Sequence, residues 1–363
     1  MMNPTLKKTL KYVSMTGVAW FAANTLASNA FAKDTAGMGA KPNQQMQAVL
    51  DELQKLGPKP LETLPAAEAR KQPTPADAVK ALLKKKQNSG MDPKPEEVGK
   101  VENKSIDGAG GSIDIRIYTP KGNGPFPVIV YYHGGGWVIA DLDTYDSSPR
   151  ALVNATNAVV VSSHYRQAPE HKFPAAHDDA LAAYKWTLEH AKELNGDTKR
   201  IAVVGESAGG NLAASVSILA REHHMPMPIY QVLVYPIAGY NFETPSYIEN
   251  AKAKPLSRDA MKWFFTQYLN SPADGKNHLI SLVSEQDLKG LPPTTIITDQ
   301  IDPLRSEGKE YADKLQAAGV KVRYKNYDGV THEFFGMGAV IDKAKQAQHF
   351  AAEGLKEAFA KAK

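Results

Sequence analysis

The sequence Gly205-Glu206-Ser207-Ala208-Gly209 constrains the fold of this chain more than any other stretch. It has the form G-x-S-x-G, follows four apolar residues at 201–204 and precedes an apolar, small-residue run at 212–220. This order predicts a buried strand, a sharp turn and a helix, with Ser207 at the turn in a strained backbone conformation. A Cβ atom at either flanking glycine would strike the neighbouring strand or helix, so we expect both positions to require glycine.

Apolar strands alternate with helical segments along most of the chain. We predict strands at 113–117, 127–132, 158–163, 201–204, 229–235, 294–298 and 320–327, and helices at 175–194 and 306–318. Several of these strands are apolar throughout, which is typical of a parallel sheet covered by helices on both faces. The predicted fold class is therefore α/β. Its ligand site should lie beyond the carboxyl ends of the strands.

The first 32 residues have the composition of a secretory signal peptide. Lysines at positions 7, 8 and 11 precede a mostly apolar stretch at 12–27, and Ala30-Phe31-Ala32 forms an A-x-A cleavage site. Polar residues interrupt the apolar stretch, so we expect no stable membrane span after cleavage of the leader. The chain has no cysteine, which excludes disulfides and lipid attachment to an N-terminal cysteine. We expect a periplasmic or secreted protein.

The mature chain carries almost no net charge. The sequence has 43 basic and 39 acidic residues, and three of the basic ones lie in the leader, which leaves 40 against 39. This balance gives no reason to expect nucleic acid or an anionic surface as a partner. Apolar residues at helical spacing predict a helix from about residue 43 to Leu56, and Thr74-Pro75 is typical of the start of a second helix.

Three consecutive glycines follow the predicted strand at 127–132, in His133-Gly134-Gly135-Gly136-Trp137. Their uncovered N–H groups can adopt unusual directions, which is what the stabilisation of an oxyanion requires. One alternative is a flexible turn. A second is a phosphate-binding loop, but no G-K-[ST] follows the glycines. We expect His133 to order this loop by hydrogen bonding.

Two later loops offer partners for Ser207. Asp302 follows the strand at 294–298, directly before a proline, and Asp299 is an alternative acid that could instead cap the strand or the next helix. His332 lies on a loop beyond the last predicted strand. The order Ser207, Asp302, His332 is that of an α/β-hydrolase triad. We find no metal-ligand spacing such as H-E-x-x-H and expect neither a metal nor a cofactor.

Other histidines are weaker candidates for the base. Only His332 combines a loop after the last strand with a position downstream of the acid. We expect the pair His223-His224 to lie on the surface at a helix end. The remaining histidines near the predicted site are His133, His171 and His177.

With these motifs the chain resembles the hormone-sensitive lipase family of bacterial-type carboxylesterases and lipases. The resemblance runs from about residue 43 to the end of the chain. It implies an α/β-hydrolase fold with a mostly parallel central sheet flanked by helices. The matching motifs are His133-Gly134-Gly135-Gly136-Trp137, Tyr165-Arg166-Gln167-Ala168-Pro169-Glu170, Phe173-Pro174-Ala175-Ala176, Gly205-Glu206-Ser207-Ala208-Gly209-Gly210, Asp302-Pro303-Leu304-Arg305 and Gly329-Val330-Thr331-His332-Glu333-Phe334.

The resemblance implies a helical cap over the site, built from the N-terminal helices and an insertion after the strand that ends near Tyr235. We accordingly divide the chain into a leader at 1–32, a flexible mature N-terminus at 33–42, cap helices and a linker at 43–109, and a catalytic domain at 110–363 with the insertion at about 240–285. The aromatic residues of 244–269 either line an acyl pocket or pack against the core.

The resemblance also implies roles for six residues. Ser207 is the nucleophile, His332 the base and Asp302 the acid that orients the base. The oxyanion hole is formed by the N–H groups of Gly134, Gly135 and Ala208. Three residues depart from the family's usual pattern without touching the triad: Gln167 for leucine, Glu206 for aspartate and Ser306 for an acid.

The implied activity is the hydrolysis of short- to medium-chain carboxylic esters through an acyl-enzyme. An alternative within enzymes is an amidase, peptidase or carbamate hydrolase with the same triad. A different class is a non-catalytic ligand receptor, as in a plant hormone receptor group that resembles this family. The triad histidine is typically lost there, whereas His332 is present. The only partner we expect is a small ester, and the sequence leaves a homodimer open because an edge strand occurs in monomers too.

Overall fold

The computed structural model describes residues 39–87 and 91–362. The predicted leader, its cleavage site and residues 33–38 of the predicted flexible N-terminus lie outside the described residues. Within the described residues, no helix is long and apolar enough to cross a membrane.

One sheet of eight strands forms the centre of the molecule, in the order β1-β2-β4-β3-β5-β6-β7-β8. The pairs β1–β2 and β2–β4 are antiparallel, and the other five pairs are parallel. The mostly parallel sheet that we predicted is confirmed. The strands are β1 Lys100–Gly108, β2 Gly111–Thr119, β3 Phe126–Tyr132, β4 Val159–His164, β5 Gly196–Glu206, β6 Gln231–Val234, β7 Thr294–Ile301 and β8 Val322–Thr331.

Helices cover both faces of this sheet. Short 3-10 turns occur at Leu61–Thr63, Ala191–Leu194, Asp274–Lys276, Leu282–Ser284 and Phe334–Met337. The α-helices are α1 Gln44–Leu56, α2 Ala66–Ala69, α3 Pro75–Gln87, α4 Ser147–Thr156, α5 Ala175–His190, α6 Ala208–Glu222, α7 Pro245–Glu249, α8 Arg258–Tyr268, α9 Arg305–Ala317 and α10 Asp342–Lys361.

Alternate side chains of β3 enter two different hydrophobic cores. Val128 and Val130 belong to the core that includes residues of α5, α6, α8 and α9. Ile129 and Tyr131 belong to the core that includes residues of α1, α3, α4 and α10. Because successive side chains point to opposite faces of a strand, a fully apolar strand such as β3 must be covered on both sides.

Side-chain caps begin the two longer N-terminal helices, α1 and α3, and the cap of α3 at Thr74 is the predicted one. Asn43 Oδ1 accepts a hydrogen bond from the N–H of Met46 at 2.9 Å, and Gly57 ends α1 with φ 73°. Thr74 Oγ1 accepts from the N–H of Asp77 at 3.2 Å, and the Asp77 carboxylate accepts from the N–H of Thr74 at 2.9 Å. This reciprocal pair satisfies donors that the first turn leaves free.

The apolar faces of α1 and α3 pack on the flank of the sheet. Met46, Val49 and Ala78 are fully buried in the same core as Tyr131. Burying a side chain of the size of methionine or valine contributes roughly 1.5–3 kcal/mol relative to leaving it exposed. These helices therefore belong to the main body. The active-site cavity described below is lined mainly by the segment between them, residues 57–74, together with Leu53 of α1 and Pro75 of α3.

Strand β1 is the strand of this eight-stranded sheet that the sequence pattern did not predict. It pairs antiparallel with β2 along its whole length, so the sheet begins at Lys100 rather than near residue 110. Only Ile106 of its nine residues is buried. An edge strand with one buried side chain shows no apolar alternation, which is why hydrophobic periodicity missed it.

Candidate active site

Ser207 stands on a sharp turn between β5 and α6, as the sequence predicts. Its backbone has φ 56° and ψ −118°, a conformation that a residue with a side chain rarely adopts. The N–H of Ser207 donates to the carbonyl of Val234 in the neighbouring strand at 2.9 Å. The surrounding sheet and helix thus hold the strained residue in position.

The two glycines of the turn leave no room for a side chain. A Cβ atom at Gly205 would lie 2.0 Å from the carbonyl oxygen of Gly209, in α6. A Cβ atom at Gly209 would lie 2.0 Å from the carbonyl oxygen of Tyr132, at the end of β3. The expected contacts with helix and strand are therefore present, and they place the turn directly beside the glycine loop that follows β3.

The structure brings Ser207, His332 and Asp302 together in one hydrogen-bonded chain. His332 Nε2 lies 2.9 Å from Ser207 Oγ, and His332 Nδ1 lies 2.7 Å from Asp302 Oδ2. Asp302 Oδ1 accepts from the N–H of Leu304 at 2.8 Å, which fixes the carboxylate. All three residues are at most 4% exposed. This geometry can deprotonate a hydroxyl and stabilise the imidazolium that results.

Asp299 is a second buried carboxyl group behind Asp302. Burial raises the pKa of Asp299 well above its usual range, and the charge of Asp302 raises it further. One carboxylate oxygen from each residue lies within 4.8 Å of the other and of a His332 ring nitrogen. Two buried carboxyls this close do not both ionise. Asp299 is therefore the protonated member, and Asp302 is the acid that contacts His332.

The pKa of His332 is raised from its ordinary value of 6.5. Burial of the ring is the largest single effect and lowers the pKa, but the Asp302 carboxylate, Glu333 and Glu206 together raise it by more. Those two carboxyls are held by phenols: Tyr145 Oη donates to Glu333, and Tyr131 Oη donates to Glu206 at 2.6 Å. Burial raises the pKa of Glu206 to about 7.

The glycine loop presents N–H groups beside Ser207. Within the described ranges 39–87 and 91–362, the N–H groups of Gly134 and Gly135 donate to no acceptor. The N–H of Ala208 lies in the first turn of α6, where helical N–H groups have no partner within the helix. These three N–H groups therefore remain available to stabilise the charge of an oxyanion, the role that the resemblance implies for them.

Side chains pack tightly against the glycine loop. The Tyr145 hydroxyl would lie 2.2 Å from a Cβ atom at Gly134, and the Phe264 ring would lie 2.2 Å from one at Gly136. His133 Nδ1 lies 2.8 Å from the carbonyl oxygen of Gly134, so the expected ordering of the loop by His133 is confirmed. The positions of Tyr145 and Phe264 beside the loop were not predicted, because neither residue lies within a motif.

A cavity of about 610 Å³ opens above Ser207 and His332. One wall is the segment between α1 and α3, which contributes residues 58–62, 69, 70 and 72–74. The opposite wall includes Leu256, Met261 and Phe264. Both walls thus lie in the regions that the resemblance assigns to a cap, whereas the apolar faces of α1 and α3 themselves pack on the sheet. Of the α8 aromatics, Phe264 contributes to both the cavity and the core, while Trp263 and Tyr268 belong to the core alone.

The other histidines lie where the sequence suggested. His223 and His224 are exposed at the end of α6. His177 is buried, with Nδ1 at 2.8 Å from Tyr268 Oη and Nε2 at 3.0 Å from Asn211 Oδ1, so it supports the packing of α5 and α6. None of these contacts Ser207.

In the part of the chain that the structure describes, two groups of side chains lie close enough together to bind a metal ion: Asp299, Asp302 and His332, and Glu222, His278 and Glu285. In the first, the ring nitrogens of His332 are already hydrogen-bonded to Asp302 and Ser207. The second lies at the C-terminal end of α6, about 20 Å along that helix from Ser207.

Comparison with known proteins gives one consistent result. A family model described as the alpha/beta hydrolase fold matches residues 129–336. Carboxylesterase NlhH of Mycobacterium tuberculosis is 42% identical over 253 residues, which cover 68% of this chain and 78% of that protein. Ethyl acetate hydrolase of Pseudomonas putida is 32% identical over 302 residues, which cover 82% of this chain and 92% of that protein.

The solved structures agree. A hyperthermophilic esterase from the archaeon Pyrobaculum calidifontis matches with a TM-score of 0.77 and 36% sequence identity. The match covers 87% of this chain and 98% of that one. Sequence and fold thus point to the same group of proteins.

Proposed function

We propose that this chain, a serine carboxylesterase of the α/β-hydrolase fold family and its hormone-sensitive lipase branch, hydrolyses short- to medium-chain esters through an acyl-enzyme on Ser207. The observation that supports this most strongly is the continuous hydrogen-bonded chain from Ser207 Oγ through His332 to Asp302.

Acylation and deacylation use the same groups in turn. His332 Nε2 takes the Ser207 proton as Oγ attacks the ester carbonyl, and the resulting imidazolium gives that proton to the leaving alcohol. A water molecule then loses a proton to His332 and attacks the acyl-enzyme. The proton passes to Ser207 Oγ as the carboxylic acid leaves. Asp302 keeps the His332 ring in one orientation and stabilises its charged form.

The oxyanion hole in this proposal consists of Gly134, Gly135 and Ala208. The carbonyl oxygen gains negative charge in both tetrahedral intermediates, and the free N–H groups of these residues would donate to it. Because these groups are fixed before substrate arrives, little reorganisation is needed. One such donor is typically worth about 3–4 kcal/mol in the transition state.

The preference for short acyl chains is supported by the cavity and by a relative. The cavity above Ser207 measures about 610 Å³, and the Pseudomonas putida relative carries the name of an ethyl acetate hydrolase. We expect kcat/KM for p-nitrophenyl butyrate to exceed that for the palmitate ester by on the order of tenfold or more, since a long chain must displace packed cap residues. A series of p-nitrophenyl esters from acetate to palmitate measures this.

Two outcomes of that series would count against the proposal. Faster turnover of the palmitate ester would contradict the preference for short chains. Faster cleavage of butyryl p-nitroanilide than of the butyrate ester would instead favour an amidase with the same triad.

The raised pKa of His332 predicts the pH dependence of the reaction. The base must be neutral, and a raised pKa keeps it protonated to higher pH, so kcat/KM should fall as pH drops through a midpoint above 6.5. Glu333→Gln removes one carboxyl that raises this pKa, so its midpoint should move to lower pH. A pH–rate profile of both proteins measures the shift. An acid limb at or below 6.5 in the unaltered enzyme would be inconsistent with this environment.

We also propose that the chain is exported, because its first 32 residues have the lysines, apolar stretch and A-x-A site of a signal peptide. Edman sequencing of the protein outside the cytoplasm should then begin at Lys33.

A further inference from the structure

The direction of each oxyanion N–H depends on the carbonyl beside it. In a planar trans peptide the C=O and N–H groups point in opposite directions. The carbonyl of His133 shares its peptide with the N–H of Gly134, and the carbonyl of Gly134 shares its peptide with the N–H of Gly135. Any contact that fixes the direction of these two carbonyls therefore also fixes the opposite direction of the Gly134 and Gly135 N–H groups.

Two side chains hold these carbonyls. The Tyr165 hydroxyl donates to the carbonyl oxygen of His133 at 2.9 Å. His133 Nδ1 lies 2.8 Å from the carbonyl oxygen of Gly134, which is also 3.1 Å from the Tyr165 hydroxyl. The stacked rings of His133 and Tyr165, with centroids 4.5 Å apart, keep both groups in place.

These contacts determine where the proton of His133 lies. A carbonyl oxygen only accepts hydrogen bonds, so Nδ1 of His133 must carry the proton. Burial lowers the pKa of His133 to about 3, so the ring is neutral and its Nε2 is an acceptor. Within the described part of the chain, the partner of that Nε2 is Nδ1 of His164, at 3.2 Å. His164 must therefore be the donor.

The topology explains why these two histidines meet. Strands β3 and β4 are parallel neighbours, and Tyr132 pairs with Ser163 at their carboxyl ends. The next residues are His133 and His164, so their side chains leave the sheet beside each other. Their rings stack with centroids 5.4 Å apart.

We propose that His164 is a positioning residue of the oxyanion hole: its Nδ1–H holds His133 in the Nδ1–H tautomer, and His133 in that tautomer fixes the direction of the Gly135 N–H. The tautomer is a property of the resting protein, whereas its effect on rate rests on the proposed esterase function. Without the donor, the Nε2–H tautomer of His133 becomes accessible, and its bare Nδ1 would face the oxygen of Gly134.

Two substitutions of His164 distinguish the loss of its hydrogen-bond donor from the loss of its side-chain volume. His164→Asn places an amide nitrogen at the covalent position of Nδ1, directly on Cγ, so it can still donate. His164→Leu fills similar space without a donor. We expect His164→Leu to lower kcat for p-nitrophenyl butyrate about 10- to 100-fold with KM changed less than about threefold, because the lost interaction acts in the transition state. His164→Asn should stay within about threefold of the unaltered kcat.

The control for a histidine-to-leucine change is His349→Leu. His349 is exposed on α10, where its ring pairs with Glu353 in the next turn. This variant should keep the unaltered kcat. Circular dichroism and melting temperature establish that each variant is folded.

Nitrogen-15 NMR of the histidine rings tests the tautomer without catalysis. In the unaltered protein we expect His133, assigned by its absence from the spectrum of His133→Gln, to be protonated at Nδ1 and not at Nε2. A protonated Nε2 would overturn the proposal, and so would an unaltered kcat in folded His164→Leu. If the unaltered protein hydrolysed no ester, the proposed function would fail, while the NMR result would still decide the tautomer.

Discussion

Replacing Ser207 with alanine is expected to lower kcat for p-nitrophenyl butyrate by on the order of 10⁵- to 10⁶-fold, because no other group can form the acyl-enzyme. The change removes one oxygen atom and leaves the backbone of the turn held by the Val234 carbonyl. We therefore expect the melting temperature to change by only a few degrees. A continuous assay on the purified proteins measures the rate, and circular dichroism measures the melting.

Ser217→Ala is the matched control for that substitution. Ser217 is fully buried in α6, the helix that begins directly after Ser207, and its hydroxyl donates to the carbonyl of Ala213 in the preceding turn. Its loss should leave kcat within about twofold, since the residue contacts no part of the triad. A Ser207→Ala protein that retained a tenth of the unaltered kcat would exclude Ser207 as the nucleophile.

Replacing Asp302 with asparagine is expected to lower kcat by on the order of 10⁴-fold. The amide cannot stabilise the imidazolium of His332, and its NH₂ group favours the wrong tautomer of the ring. The buried site should otherwise keep its shape, because aspartate and asparagine have the same size. The same continuous assay measures the loss.

Asp299→Asn provides the comparison for Asp302. Asp299 lies buried beside Asp302, where two carboxyls this close do not both ionise, and burial raises the pKa of Asp299 well above its usual range. A neutral asparagine resembles a neutral carboxylic acid, so kcat should stay within about tenfold. If instead Asp299→Asn were inactive and Asp302→Asn active, Asp299 and not Asp302 would be the acid of the triad.

The nucleophile turn and the triad order could be predicted because their residues are constrained locally. G-x-S-x-G after an apolar strand leaves few conformations open, and the structure shows why at Gly205 and Gly209. Asp302 and His332 follow strands whose carboxyl ends must meet at one edge of a parallel sheet. The choice between Asp299 and Asp302 needed side-chain distances, since both follow the strand predicted at 294–298, and the observed strand β7 extends past Asp299 to Ile301.

Contacts between strands were harder to predict. The pairing of His133 with His164 depends on the register of β3 against β4, which no local pattern specifies. Strand β1 was missed because its side chains are mostly exposed. The role of α8 was left open between lining a pocket and packing on the core, and Phe264 does both. A helix can present one face to the cavity and another to the core, so its amphipathic pattern alone could not decide between the two roles.

The most direct test of the mechanism is covalent labelling with a fluorophosphonate, followed by intact mass and peptide mapping. The unaltered protein should gain a single adduct, carried by the peptide that contains Ser207, and Ser207→Ala should gain none. An adduct on another residue, or undiminished ester hydrolysis by a protein that takes up no label, would contradict the account.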